Sequence, residues 1–293
     1  MTKRIAKRIA ESEFILNPDG SIYHLNLKPG DIADDIITVG DPDRVNKVAQ
    51  HFDRIDIEVS KREFKTVTGW IGSKRLTVIS TGIGTDNIDI VFTELDALAN
   101  IDFNTRSIKD IHTKLRFYRI GTSGSLDPAL DVNMILISSM AIGIDGLMHF
   151  YNQEYTKDEL QLNEKAKNAL SKLPNVIPYS TTASPTLVNK FASLGSKGIT
   201  VTATGFYGPQ GRFIIAAPKS ATFLDDLASI SLNGLNVTNL EMETSGMYGM
   251  STILGHEAVS INAIIANRVH QTFSEKPKAV VAKLIEDVLG MIQ

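Results

Sequence analysis

Short β-branched runs alternate along this chain with longer stretches whose apolar residues recur at every third or fourth position. The first pattern predicts strands, the second helices with one buried face. Residues 36–39 read as a strand closed by Gly40. Pro42 then opens a helix through Val45, Val48 and Ala49, with Asp41 as its N-cap. A strand at 76–80 leads through Gly82 and Gly84 into a helix whose stripe is Ile88, Val91, Phe92, Leu95 and Leu98. Further strands are expected at 117–120, ending at Gly121, and at 134–138, 176–181, 199–204, 237–240 and 259–265. Helices are expected at 157–173, stopped by Pro174, at 244–254, and at 280–292, where the apolar stripe keeps helical spacing. Such alternation predicts an α/β protein with a mostly parallel or mixed sheet and helices on its faces. No Pro- or Ser-rich linker and no fixed repeat divides the pattern, so 22–293 read as one domain behind an N-terminal extension, 1–21. Ile5 and Ile9 in that extension stand at helical spacing, as in an amphipathic helix. The polar stretch 100–115 is longer than a usual connection and reads as a surface insertion.

Composition narrows the function. With 43% hydrophobic and 22% charged residues, the chain can bury a sizeable core. A net charge of −3 argues against a general nucleic-acid or membrane-surface binder. The count of cysteines is 0, which excludes disulfides, thiolate metal sites and cysteine nucleophiles. No apolar run has the length of a membrane span, and the basic N-terminus lacks the apolar core of a secretory signal. A cytoplasmic enzyme is the expectation.

The chemistry concentrates at strand ends. NLEMETSGM, 239–247, puts Glu241 and Glu243 where a strand gives way to a helix, the place where α/β proteins bind ligands. Paired carboxylates there suit a sugar diol, with Met242 as an apolar wall; the alternative is a solvated pair favoured by the helix dipole. VGDPDRV, 39–45, offers Gly40 and Arg44, and RIGTSGS, 119–125, offers Arg119, Thr122 and Ser123. Arginine beside small hydroxyl residues on a glycine turn suits a tetrahedral oxyanion such as phosphate. SKREF, 60–64, adds Arg62. Any of these arginines alone reads equally as a solvated surface charge. TGIGTDN, 81–87, has Asn87 where a dinucleotide fingerprint needs a small residue, GTSGS is not a nucleophile elbow, and no P-loop occurs. The six histidines show no metal spacing.

In order, YHLNL, VGDPDRV, SKREF, STGIG, YRIGTSG, GFYGPQGR, NLEMET and IIANR resemble the uridine phosphorylase branch of the nucleoside phosphorylase-I family, from about residue 22 onward. The resemblance implies a three-layer α/β/α sandwich around a mixed, barrel-like sheet. It implies a homo-oligomer, a hexamer of dimers, whose active sites are completed by a neighbouring subunit. Gly40, Arg44, Arg119 and Thr122 match the family's phosphate site, and Arg62 the arginine lent to it by the neighbour. His24 matches the histidine lent to the ribose 5′-hydroxyl. Met242 and Glu243 match the ribose-binding pair, with Glu241 their companion. Phe206 corresponds to the residue that stacks on the base, Gln210 and Arg212 to those on its polar edge, and Arg268 to an arginine near that pocket. GFYGPQGR reads otherwise as a mobile surface loop. Thr85, Asp86 and Asn87 replace the Gly-Pro-Ser common after STGIG. Some relatives bind a monovalent cation through a glutamate, a carbonyl and that serine; here the positions are Glu63, Ile83 and Asn87.

The implied reaction is reversible phosphorolysis of uridine to uracil and ribose 1-phosphate in pyrimidine salvage. Phosphate is a co-substrate, and no cofactor is expected. Rival readings are a purine or broader-specificity nucleoside phosphorylase, which would place an acid near the purine, a nucleoside hydrolase, and a non-catalytic nucleoside sensor. Neither of the last two needs a phosphate site.

Overall fold

The computed structural model describes residues 8–293, which fall into two compact units. One takes the described residues up to 82 together with 90–117, and the other takes 83–89 with 118–293.

In the first unit, strand β1 (Asp35–Val39) is buried throughout and runs past Gly40 into helix α1 (Pro42–Ala49). The expected cap is present: the Asp41 carboxylate accepts from the Asp43 N–H at 2.9 Å, and Val45, Val48 and Ala49 are buried. Strands β2 (Arg54–Lys61), β3 (Phe64–Ile71) and β4 (Lys74–Ser80) form an antiparallel meander, and β4 pairs with β1 in parallel. The hydrophobic pattern does not announce β2 or β3. Strand β2 is mostly exposed, and β3 buries polar Thr66 and Thr68 beside apolar neighbours, so neither shows clean alternation. Helix α2 (Thr85–Asn100) contributes residues 90–100 and leads into a small hairpin of β5 (Ile101–Asp102) with β6 (Ser107–Ile108). The stretch 100–115 therefore has pairing of its own, and the Asn100 amide exchanges hydrogen bonds with the Thr113 backbone. Ile9 lies outside any helix or strand, its N–H donating to the Arg106 carbonyl at 2.8 Å, so the helix expected there does not include it. Ile5 lies outside the described residues. Strand β7 (Arg116–Ser125) starts in this unit and continues into the second.

The second unit closes strands into a ring. After β7 come β8 (Ile135–Gly143), helix α3 (Lys157–Ala169), β9 (Tyr179–Thr182), α4 (Pro185–Lys190) and β10 (Ser196–Thr202). Then follow α5 (Phe223–Ala228), β11 (Ser231–Leu232), β12 (Leu235–Glu241), α6 (Thr244–Leu254), β13 (Glu257–Asn267), β14 (Thr272–Phe273) and α7 (Pro277–Ile292). Neighbouring pairs run β7-β12-β10-β8-β13 and back to β7, a five-stranded barrel with parallel and antiparallel ladders. The class expected from the sequence, α/β with a mixed barrel-like sheet, is the one formed. Outside the barrel, Leu162, Ala166 and Leu170 of the α3 segment and Phe223 and Leu227 of α5 join Ile142, Val201 and Leu240 in one buried cluster. Helix α3 stops at Ala169, short of Pro174, because Leu170 caps it and a turn follows. Its start carries a reciprocal capping box between Thr156 and Glu159. The strand expected at 176–181 begins only at Tyr179, since Val176 is held in a turn by the Leu173 carbonyl.

Candidate functional site

Two corrections place the chemistry. Residues 121–125 are not a turn: β7 runs through them to Ser125. Gly121 is required for packing, since a Cβ there would sit 2.0 Å from Arg119 Nη1 and 2.5 Å from Asn262 Oδ1. Nor is the Glu241–Glu243 pair solvated, for the two residues are only 4% and 6% exposed. Strand β12 ends on Glu241 and α6 begins at Thr244, which leaves Glu243 as the helix N-cap and Met242 half-buried between them.

Arg119 joins these pieces. Its Nη2 donates to Glu243 Oε2 at 2.5 Å and lies 3.1 Å from Glu241 Oε2, while Nη1 donates to Asn262 Oδ1 at 2.7 Å and Ser260 Oγ at 3.3 Å. Burial alone would ease the proton off this guanidinium, but Glu241 and Glu243 outweigh it and hold it above the ordinary arginine range. Glu243 moves the other way. Burial and, more weakly, Glu241 raise its carboxyl above the usual glutamate value, against the pull of Arg119 and of the Gly84 N–H, which donates to Oε1 at 2.8 Å. Gly84 can present that N–H because it has φ +98°, which a side chain would strain.

Glu241 differs from its neighbour. Oε1 accepts from Thr202 Oγ1 at 2.7 Å and the Thr244 N–H at 3.0 Å, and Oε2 accepts from the Glu243 and Thr244 N–H groups besides facing Arg119. Both oxygens engage the first N–H groups of α6 and the barrel, so Glu241, expected among the ribose-binding residues, anchors the peptide that carries Glu243.

Behind Arg119, hydrogen bonds pass round the barrel interior through every strand. Asn262 Nδ2 donates to Ser138 Oγ at 3.2 Å, Ser138 shares a 2.5 Å bond with Thr200, Thr200 donates to Asn239 Oδ1 at 2.7 Å, and Asn239 Nδ2 donates to Ser123 Oγ at 2.9 Å. A satisfied buried network of this kind specifies one geometry. Ser260 and Asn262 stand in no motif of the sequence, although they alternate among the apolar residues of β13 and so share a face. Thr122 lies half-buried on the same β7 segment.

The expected base-edge residues come together on the segment after β10. Gln210 ends a short 3-10 turn, Gly208–Gln210, and is 3% exposed, unlike a surface loop residue. Arg212 Nη1 donates to the Phe206 carbonyl at 2.7 Å and to Gln210 Oε1, and its guanidinium lies 3.7 Å over the half-exposed Phe206 ring. Arg268, just past β13, donates to the Gln210 carbonyl at 3.0 Å. Burial, with Arg268 nearby, pushes Arg212 down to about 10, and burial lowers Arg268 too. Neither pairs with a carboxylate among the described residues. Two half-desolvated guanidiniums without a counterion favour an electron-rich oxygen beside them.

The first unit holds the other expected residues. Gly40 and Arg44 are both half-buried, one just after β1 and the other in the first turn of α1. Arg62 and Glu63 are exposed at the β2–β3 turn, with Arg62 at φ 56°. His24 is half-buried and contacts Glu94 of α2, a residue the sequence reading did not single out. In the second unit Asn87 Nδ2 donates to the Ile83 carbonyl at 3.4 Å, so the residue replacing serine already engages the carbonyl expected to bind a cation.

A mixed five-stranded barrel carries a buried arginine–glutamate cluster, with Arg119 inside β7 and the two glutamates at the β12–α6 junction, and its alternating helices and strands make it an α/β fold. The phosphorylase superfamily model matches residues 34–292, and the chain belongs to that superfamily. Among curated relatives, the uridine phosphorylase of Thermococcus kodakarensis is 29% identical over 98% of this chain and 93% of its own length. That of Escherichia coli is 28% identical over 90% and 92%. A solved nucleoside phosphorylase of Trypanosoma brucei that shows uridine phosphorylase activity superposes with a TM-score of 0.88 at 27% identity, covering 95% of this chain and 98% of its own. No helix among the described residues is long and apolar enough to cross a membrane.

Proposed function

We propose that the protein catalyses the reversible phosphorolysis of uridine to uracil and ribose 1-phosphate. The observation that supports this reading is the buried Arg119 guanidinium held 2.5 Å from the Glu243 carboxylate, a cation and a hydrogen-bond acceptor side by side. Breaking the C1′–N1 bond develops positive charge on the ribose and negative charge on the leaving uracil. In this reading Arg119, with Thr122, holds phosphate against the ribose, where the anion is both nucleophile and electrostatic partner of the oxocarbenium-like sugar. Glu243 accepts from the 2′- and 3′-hydroxyls and Met242 packs on the sugar, which orients C1′.

The pyrimidine follows from the base edge. Gln210 offers an acceptor with a second lone pair and an amide donor, matching N3–H and a neighbouring carbonyl of uracil. Arg212 and Arg268, without carboxylate partners, favour the oxygens on which uracil's charge grows, so no general acid is needed. Phe206 keeps one face for the base, since Arg212 covers the other.

Assembly and location extend the reading. His24 and Arg62 serve a neighbouring subunit's site in a hexamer of dimers, and the enzyme works in the cytoplasm on free nucleosides without a cofactor. Rates on uridine, cytidine and inosine, with and without phosphate, test the assignment. Uridine should exceed the other two by at least about a hundredfold in kcat/KM, or ~2.7 kcal/mol. Inosine turned over as fast as uridine would favour a purine enzyme, and turnover independent of phosphate a hydrolase.

A further inference from the structure

Glu94 is buried on α2, and three donors from one short turn converge on it. The His24 N–H donates to Oε1 at 3.0 Å and Oε2 at 3.1 Å, and the Leu25 N–H donates to Oε2 at 2.8 Å. The His24 imidazole Nδ1 lies 2.7 Å from Oε1. A carboxylate only accepts, so Nδ1 carries the hydrogen, and the Nδ1–H tautomer has its lone pair on Nε2. Among the described residues Nε2 has no hydrogen-bond partner, and the His24 side chain keeps 29% of its surface. The turn is braced from the other side: Lys61 Nζ donates to the Tyr23 carbonyl at 2.5 Å and lies over the Tyr23 ring, which packs edge-on against the imidazole.

We propose that Glu94 is the positioning residue of His24. It fixes both the backbone of the turn and the ring tautomer, so that Nε2 is presented outward as a hydrogen-bond acceptor for the 5′-hydroxyl of a nucleoside. The inference rests on the proposed function, in which His24 reaches the ribose. Carboxylates that hold the second nitrogen of a working histidine set its orientation in the same way. The helix-borne carboxylate is a firmer support than the turn itself, because α2 is anchored by the buried stripe of Val91, Phe92 and Leu95.

The test compares kcat/KM for uridine and 5′-deoxyuridine, whose ratio isolates the 5′-hydroxyl contact. His24→Ala should lower this ratio by about fivefold or more, the worth of one neutral hydrogen bond. Glu94→Ala should lower it nearly as far, and Glu94→Gln, which keeps one acceptor oxygen and the side-chain size, should fall between. In the His24→Ala background, Glu94→Ala should leave the ratio where it is, because the two act through one contact. A Glu94 variant that slows both substrates equally has only a structural role, and that result overturns the proposal. An additional drop in the double variant overturns it as well. If His24→Ala itself leaves the ratio unchanged, the ribose assignment of His24 fails first and the proposal with it.

Discussion

Replacing Gly121 by alanine should cripple phosphate use by displacing Arg119, without removing any group that contacts substrate. The added Cβ would lie 2.0 Å from Arg119 Nη1 and 2.5 Å from Asn262 Oδ1. Ordinary carbon contacts begin near about 3.5 Å, so the guanidinium must retreat by roughly 1.5 Å. That movement breaks its 2.7 Å bond to Asn262 and its 3.3 Å bond to Ser260, while Nη2 can stay with the two glutamates. The protein should therefore fold, since the buried carboxylates keep their cation. A hydrogen bond to a charged group is worth about 1.5–3 kcal/mol, which predicts a loss of about 10- to 150-fold in kcat/KM for phosphate. Initial rates at saturating uridine and varied phosphate measure it, with circular dichroism confirming the fold. Wild-type phosphate dependence in a folded Gly121→Ala enzyme would show that the position of Arg119 does not matter.

Three further outcomes are expected. Glu243, raised above the ordinary 4.5, holds its proton more tightly folded than unfolded, so the stability it contributes is full below 4.5 and lost as pH rises through the folded value. Glu243→Gln removes this dependence, and its Tm relative to wild type should climb from about pH 4 to about pH 8; a constant difference contradicts the assignment. Gln210→Ala should lower kcat/KM for uridine by about tenfold or more while leaving phosphate KM near wild type, because it strips hydrogen bonds from the base alone. Equal losses for both would place Gln210 elsewhere. Mixing His24→Ala with Glu243→Ala subunits should restore activity in hybrid dimers; inactive hybrids with subunit exchange verified would reject shared sites.

The chain states its barrel strands and its helices where burial is one-sided. The stripe from Val281 to Ile292 and the Asp41–Pro42 start are read from spacing and cap chemistry, and both are realised. Strands β2 and β3 were hidden because an exposed strand and one with buried threonines carry no periodic signature. Gly121 misled for a related reason. Glycine usually marks a turn, but here it clears space for the guanidinium two residues earlier in a continuous strand. At the site, residue types were legible and partnerships were not. Glu241 and Glu243 look alike two residues apart, yet one carboxylate binds the start of α6 and the other faces Arg119 and Gly84. Gly84 and Glu243 are separated by 159 positions, a distance no local pattern spans. Asn262 could have been found, since a polar residue inside a strand as apolar as β13 needs a buried partner.

The most direct measurement follows the products of uridine by phosphorus NMR and ultraviolet absorbance, with and without inorganic phosphate. Phosphorolysis predicts a new sugar-phosphate resonance that grows in step with uracil, no uracil when phosphate is omitted, and uridine regenerated when uracil and ribose 1-phosphate are supplied. Uracil released at the same rate without phosphate, or phosphate unchanged while uridine is consumed, would contradict it.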